Sequence, residues 1–202
     1  MFITFEGGEG TGKSTQVKLL AQRLRAEGID VVTTREPGGT PSAEALRNLL
    51  VSGGVNSWSA EAEALLNYAA RDSHLRGVIR PALAAGKTVI CDRFMDSTRA
   101  YQGYAGGCSM ALIDRLEAEI VGITRPDRTF VFDLDPNMGL ARAKARGHAN
   151  EDRFERKGLV FHQKLRTGFR AILETEPLRC ILIDASQSIR DIDVKIWNHL
   201  RG

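Results

Sequence analysis

The sequence has 202 residues, enough for one well-buried domain and too few for two ordinary ones. Charged residues make up 26% and hydrophobic residues 43%, which excludes a disordered or fibrous chain. The 28 basic residues are nearly balanced by 25 acidic ones, so the net charge of +3 does not predict a nucleic-acid-binding surface. We predict a single domain over residues 1–202 that binds no nucleic acid.

The three cysteines, Cys91, Cys108 and Cys180, are odd in number and widely spaced, which fits neither a disulfide framework nor a zinc site. We therefore predict a cytoplasmic location, where thiols stay reduced. The chain begins on a strand-like run without a basic leader, and no apolar stretch reaches the roughly 18 residues of a membrane span. Neither export nor membrane insertion is expected.

Short apolar runs rich in β-branched and aromatic residues recur along the chain, separated by longer segments with apolar residues at helical spacing. This alternation predicts an α/β fold with a parallel sheet. The runs cover residues 2–5, 31–34, 88–91, 129–134 and 180–183. Longer helical regions are predicted at about 59–85, interrupted near Gly77 and Pro81, and at about 109–121.

A glycine-rich segment, G-G-E-G-T-G-K-S, follows the first apolar run at residues 7–14. It satisfies the phosphate-binding pattern G-x-x-x-x-G-K-[ST] in the strand-to-helix setting that the pattern requires, and residues 7–14 are called the P-loop. Its glycines allow backbone N–H groups to surround a phosphate, and the helix start adds unpaired donors. Lys13 would reach the β and γ phosphates of ATP, and Ser14 would offer its hydroxyl to Mg²⁺. The predicted ATP-binding residues are Gly7, Gly8, Glu9, Gly10, Thr11, Gly12, Lys13, Ser14, Thr15 and Arg142.

Asp92 and Arg93 end the third apolar run, which places them at the carboxyl end of a strand, where open α/β sheets bind ligands. Asp92 is predicted to contact Mg²⁺ through water. The planar guanidinium of Arg93 is suited to binding a phosphate. An ion pair at a strand end is the alternative interpretation.

A polar loop between two helical segments, about residues 146–157, is predicted to be a short lid. The basic residues in and beside it are Arg142, Lys144, Arg146, Arg153, Arg156 and Lys157. Arg142 and Arg146 lie four residues apart and share a helical face, so both could reach one phosphate group. The alternative is a solvated basic helix. The sequence contains neither an N-K-x-D segment nor a D-x-x-G after an apolar strand, which removes the usual support for a GTPase switch.

Several further segments match one family over nearly the whole chain. They are F-E-G at 5–7, T-R-E-P-G-G-T at 34–40, Y-A-A-R at 68–71, D-R-F at 92–94, S-T-R-A-Y-Q-G at 97–103, R-P-D at 125–127 and E-D-R-F-E at 151–155. Through them the chain resembles the thymidylate kinases, and more closely their bacterial form. The resemblance implies the three-layer nucleoside monophosphate kinase fold, with a five-stranded parallel sheet, flanking helices and a lid. It also implies in-line phosphorylation of dTMP to dTDP with ATP and Mg²⁺, and a homodimer.

The resemblance also implies roles for individual residues. Those that would bind dTMP are Glu6, Glu36, Pro37, Arg47, Asn67, Arg71, Arg93, Ser97, Tyr101 and Gln102. Those that would act in catalysis are Lys13, Arg93, Arg146 and Arg153, while Ser14 and Asp92 would hold the metal. Because Gly10 stands where one subgroup carries an arginine, the lid would supply that charge here.

Asn67 departs from the family pattern, because a phenylalanine that stacks on thymine usually stands at this position. Tyr68 and Phe94 are the alternative stacking partners, although Tyr68 is turned by about 100° from position 67 on a helix. Two other functions stay open from the sequence. One is a kinase for a different monophosphate, and the other is a P-loop switch or ATP-driven module.

Overall fold

The computed structural model describes residues 1–147 and 152–201, without the side chain of Arg146. Its five strands form one parallel sheet in the order β2-β3-β1-β4-β5. They are β1 (Phe2–Gly7), β2 (Val31–Arg35), β3 (Thr88–Asp92), β4 (Arg128–Asp133) and β5 (Cys180–Asp184). The predicted α/β class and all five predicted strands are confirmed.

Nine α-helices connect or flank these strands in the described part of the chain. They are α1 (Lys13–Ala26), α2 (Pro41–Val51), α3 (Ala60–His74), α4 (Arg80–Ala84), α5 (Met95–Thr98), α6 (Met110–Ile120), α7 (Pro136–Arg146), α8 (Leu159–Thr175) and α9 (Ile189–Arg201). None of these helices combines the length and the apolar character needed to cross a membrane.

The sheet is covered by helices on both faces, which makes the fold three-layered. On one face, strand residues such as Ile3 and Phe5 pack with α1 and α9. On the other face, Phe2 and Cys91 pack with α3, α4 and α6, and Val131 packs with α8. Because successive strand residues point to opposite faces, double coverage requires the nearly continuous apolar runs of the sequence.

The interruption predicted near Gly77 and Pro81 takes the form of a widened helical turn rather than a loop. A π-helical segment, Leu75–Ile79, joins α3 directly to α4. Pro81 lies in the first turn of α4, a position where proline is tolerated. A second π-helical segment, Arg99–Ala105, follows α5 and carries predicted acceptor-site residues.

Candidate active site

The P-loop connects the end of β1 to the start of α1. Gly10 has a φ of +67°, and a Cβ at this position would collide with the carbonyl group of Gly139 in α7. Only glycine satisfies both constraints without strain. The loop is therefore closed tightly against the start of α7, and its backbone is shaped before any phosphate binds.

Lys13 is buried, and its ammonium group bonds back to the P-loop. Its Nζ donates to the carbonyl oxygens of Gly7, at 3.1 Å, and Gly8, at 2.7 Å, and to the hydroxyl of Thr11, at 3.1 Å. Burial, with the nearby charge of Arg93, lowers the pKa of Lys13 to about 8. A bound polyphosphate would offer this cation stronger acceptors than the loop carbonyl groups.

Ser14 and Asp92 meet across the sheet edge. The Ser14 Oγ donates to Oδ2 of Asp92 at 2.5 Å. A hydroxyl and a carboxylate together supply hard oxygen ligands of the kind that Mg²⁺ prefers. The described residues contain no group of three or more His, Cys, Asp or Glu side chains that could hold a metal.

Arg93 joins the P-loop to a second cavity. Its φ of +70° is unusual for a residue with a side chain, and its backbone N–H donates to the Phe5 carbonyl at 2.9 Å. The guanidinium donates to the Gly7 carbonyl at 2.8 Å and lies 3.1 Å from the carboxylate of Glu9. Arg93 lines the cavity at the P-loop and also a neighbouring cavity. It therefore stands where two ligands would meet.

This neighbouring cavity, here called the acceptor cavity, brings together most of the residues predicted to bind the second substrate. Those that line it are Glu36, Pro37, Arg47, Asn67, Arg93, Ser97, Tyr101 and Gln102. Glu6 and Arg71 lie beneath this lining, bonded to residues that belong to it. The residues predicted to bind the acceptor thus lie close to one another in the fold.

Comparison with known proteins identifies the family. The profile of the family described as "Thymidylate kinase" matches residues 5–196. The chain belongs to the thymidylate kinase family. It is 54% identical over 195 residues to the thymidylate kinase of Caulobacter vibrioides, covering 96% of this chain and 93% of that protein. It is 52% identical over 198 residues to that of Rhodopseudomonas palustris strain BisB18, covering 97% and 86%.

The likeness extends to three dimensions. A crystal structure of the thymidylate kinase from Ehrlichia chaffeensis matches with a TM-score of 0.81 at 37% identity, covering 100% of this chain and 98% of that one. The predicted nucleoside monophosphate kinase fold and the predicted enzyme class are confirmed. The activity is the ATP-dependent phosphorylation of dTMP to dTDP.

Arg71 is held by a buried network below the acceptor cavity. Its Nε donates to Glu36 at 2.8 Å, and its Nη2 donates to the Phe94 carbonyl and the Thr98 hydroxyl. Nη1 is buried without a partner within the part of the chain that the structure describes. His74 supports the other Glu36 oxygen at 3.0 Å. A buried unpaired donor is costly, and Nη1 therefore keeps the capacity to donate a hydrogen bond to an oxygen that reaches it.

Glu6, near the end of β1, and Glu9, in the P-loop, have pKa values shifted in opposite directions. Glu6 accepts hydrogen bonds from Phe94 N and from the N and Oγ of Ser97, but burial, reinforced by Asp96, raises its pKa to about 7. Burial alone would also raise the pKa of Glu9, but the charges of Arg93 and Lys13 outweigh it and lower the pKa to about 2. Glu9 lines the acceptor cavity as well as the P-loop, although its sequence pattern indicated ATP binding alone.

The basic residues predicted to lie in or beside the lid are found in different parts of the structure. Arg142 and Thr15 line a cavity beside the P-loop, where Nη1 of Arg142 donates to the Ala185 carbonyl at 3.0 Å. The Arg146 side chain and residues 148–151 of the predicted lid lie outside the described residues. Arg153 is fully buried against Glu63, at 2.5 Å, and does not belong to the described lining of the P-loop cavity.

Asn67 lines the acceptor cavity, and the aromatic side chains near it are not the two that the sequence suggested as stacking partners. Tyr68 and Phe94 are fully buried, and the described aromatic residues of the lining are Tyr101 and Phe154. The rings of Tyr101 and Phe154 pack edge to face, with their centres 5.5 Å apart. Phe154 lies in the E-D-R-F-E segment, which the sequence associated with the family but not with the acceptor cavity.

Proposed function

We propose that dTMP binds in the acceptor cavity, that ATP binds along the P-loop, and that the γ-phosphoryl group passes in line between them beside Arg93. The observation that carries this proposal is that Arg93 lines both cavities. A group at that junction can contact the phosphate of each substrate and neutralise the charge that crowds there.

The donor side would be held by the P-loop backbone and Lys13. All three donors of the Lys13 ammonium have loop acceptors in this structure, and we infer that they turn to the β and γ phosphates when ATP binds. Ser14 and Asp92 would hold Mg²⁺, which would neutralise phosphate charge when bound. The acceptor phosphate is ionised at neutral pH, so no strong general base is required.

On the acceptor side, different residues would contact the phosphate, the sugar and the base of dTMP. Arg93 would bind the dTMP phosphate, with Glu36, Pro37 and Arg47 completing that side of the cavity. Ser97, Gln102 and Arg71 would meet the base, and the unpartnered Nη1 of Arg71 supports that role. Tyr101 would lie near the 2′ position of the sugar. Glu6, buried behind Ser97, would support that side chain, and Asn67 would border the base.

The remaining predictions are also part of this proposal. Arg146 would supply lid charge, whereas the burial of Arg153 favours a supporting role for that residue in the structure described. We infer a single domain over residues 1–202, a homodimer and a cytoplasmic location. The half-exposed Leu65 on α3 suits a subunit contact, and three buried free cysteines suit a reducing compartment.

The test is a coupled ATP-consumption assay with Mg²⁺, offering dTMP, dUMP, dCMP, dGMP, AMP, GMP, CMP and UMP separately. We expect a strong preference for dTMP. We also expect turnover to be lost when Mg²⁺ is removed by chelation. Preference for another monophosphate would refute the assignment of the base-binding side. Nucleotide hydrolysis without an acceptor would favour the switch or ATP-driven alternative.

A further inference from the structure

Glu63 on α3 is a buried carboxylate near the acceptor cavity, and it contacts three side chains from other parts of the chain. It is 1% exposed, and its Oε1 lies 2.5 Å from Nη2 of Arg153 and 2.9 Å from Nζ of Lys157. Its other oxygen, Oε2, accepts a hydrogen bond of 2.8 Å from Nε2 of Gln102. The two cations thus occupy one oxygen and leave the second for the amide of Gln102.

This arrangement determines which way the Gln102 amide faces. A carboxylate held by two cations can only accept hydrogen bonds, so the amide must direct its NH₂ group toward Glu63. Gln102 is 2% exposed and lines the acceptor cavity, and its Oε1 has no hydrogen-bond partner among the described residues. With an N–H of this amide bonded to Glu63, its oxygen is left to accept a hydrogen bond from a ligand in the cavity.

An acceptor at this place discriminates between pyrimidines. Thymine and uracil carry a donor at N3–H, beside the acceptor O4, whereas cytosine carries an acceptor at N3 beside the donor N4–H₂. Gln102 Oε1 complements N3–H of thymine and would face the N3 lone pair of cytosine. A site that places a buried polar group against the wrong partner rejects that ligand strongly.

We propose that Glu63 is a positioning residue for base selection: it orients the Gln102 amide so that the acceptor cavity takes a base with an N3–H donor and rejects cytosine. This inference rests on the proposed placement of dTMP in that cavity. Glu63 would act only through Gln102 and would not touch the substrate.

The test variant removes the fixed orientation of the Gln102 amide. It keeps the net charge of the cluster formed by Glu63, Arg153 and Lys157. Glu63→Gln alone would leave both the buried Arg153 and the partly buried Lys157 without their anion, which is expected to destabilise the fold more than the loss of one charge of each sign. The double variant Glu63→Gln/Lys157→Met removes one charge of each sign, so the net charge of the cluster is unchanged. The amide oxygen introduced at position 63 would accept from Arg153, and the amide NH₂ would then face Gln102 and turn that side chain's amide around. Lys157→Met alone is the matched control, because Glu63 remains an acceptor in it.

The measured quantity is the ratio of kcat/KM for dTMP to kcat/KM for dCMP, after a thermal unfolding transition has shown that each variant is folded. We expect the double variant to lower this ratio about tenfold or more relative to Lys157→Met, with the dTMP-to-dUMP ratio unchanged because uracil has the same N3–H. Adding Gln102→Met to both proteins should abolish the difference between them. An unchanged dTMP-to-dCMP ratio in the folded double variant would overturn the proposal.

Gln102→Met alone separates this inference from the proposed function. If Gln102→Met lowers the dTMP-to-dCMP ratio but Glu63→Gln/Lys157→Met does not, the cavity binds the base and only the orienting role of Glu63 is wrong. If Gln102→Met changes neither that ratio nor the KM for dTMP, the base does not bind beside Gln102, and both proposals are wrong.

Discussion

The hydroxyl of Tyr101 donates a 2.6 Å hydrogen bond to the carboxylate of Glu9, and so ties the π-helical segment of the acceptor cavity to the P-loop. The same Glu9 oxygen lies 3.1 Å from Nη2 of Arg93, whose guanidinium is also 5.0 Å from the centre of the Tyr101 ring. The P-loop cavity and the acceptor cavity therefore share one ion pair, and each cavity is shaped partly by the other.

Tyr101→Phe should remove this tie without altering the packing of the ring. Because a hydrogen bond to a charged group is lost, we expect the free energy of unfolding to fall by about 1.5–3 kcal/mol. Urea denaturation measures the change. Tyr104→Phe is the matched control, since Tyr104 belongs to the same helical segment but is 41% exposed, and its loss should be much smaller. Equal losses in the two variants would contradict the prediction.

Arg93→Ala should lower kcat for dTMP by about 10²–10³-fold, because a preorganised cation between the two phosphates would be lost. Steady-state assays at saturating ATP and dTMP measure this. Arg76→Ala is the control: its guanidinium is exposed and paired only with Asp72 one helical turn away, at 2.8 Å, among the described residues, so kcat should stay near the unsubstituted value. Near-normal turnover in Arg93→Ala would remove Arg93 from the mechanism.

Gly10→Ala should destabilise the protein by roughly 1–3 kcal/mol or more, because it forces a side chain into the left-handed region and against the Gly139 carbonyl. Gly8→Ala is the matched substitution in the same loop, since a Cβ there would meet no described atom within 4 Å. Thermal unfolding of the ligand-free proteins separates the two. A Gly8→Ala variant as unstable as Gly10→Ala would contradict the steric argument.

ATP binding should take up protons at mildly alkaline pH. Lys13 has a pKa lowered to about 8 in the free protein, so above that value it is increasingly neutral, and bound phosphates would restore its proton. The affinity for ATP should therefore fall as pH rises above 8. Calorimetry at about pH 8.5, in two buffers of different ionisation enthalpy, measures the uptake. Lys13→Arg should show none, because a guanidinium stays protonated; absence of uptake in the unsubstituted protein would contradict the assignment.

The sequence by itself determined the features that depend on contiguous residues. The P-loop pattern is local, because its glycines and the following helix start provide the phosphate site within eight positions. The five strands were predictable for a related reason, since burial on both faces leaves continuous apolar runs. The family segments reached further, and most of the residues they indicated for the acceptor do line one cavity.

The tertiary structure decided which distant side chains face each other. No spacing in the sequence pairs Glu63 with Gln102 and Arg153, because these contacts arise where separate segments of the chain are packed together. The same holds for Arg153, which its motif associated with the lid and the fold buries. A local pattern specifies which chemical groups are present, but the packing of the elements determines their partners, and the partners determine their charge and orientation.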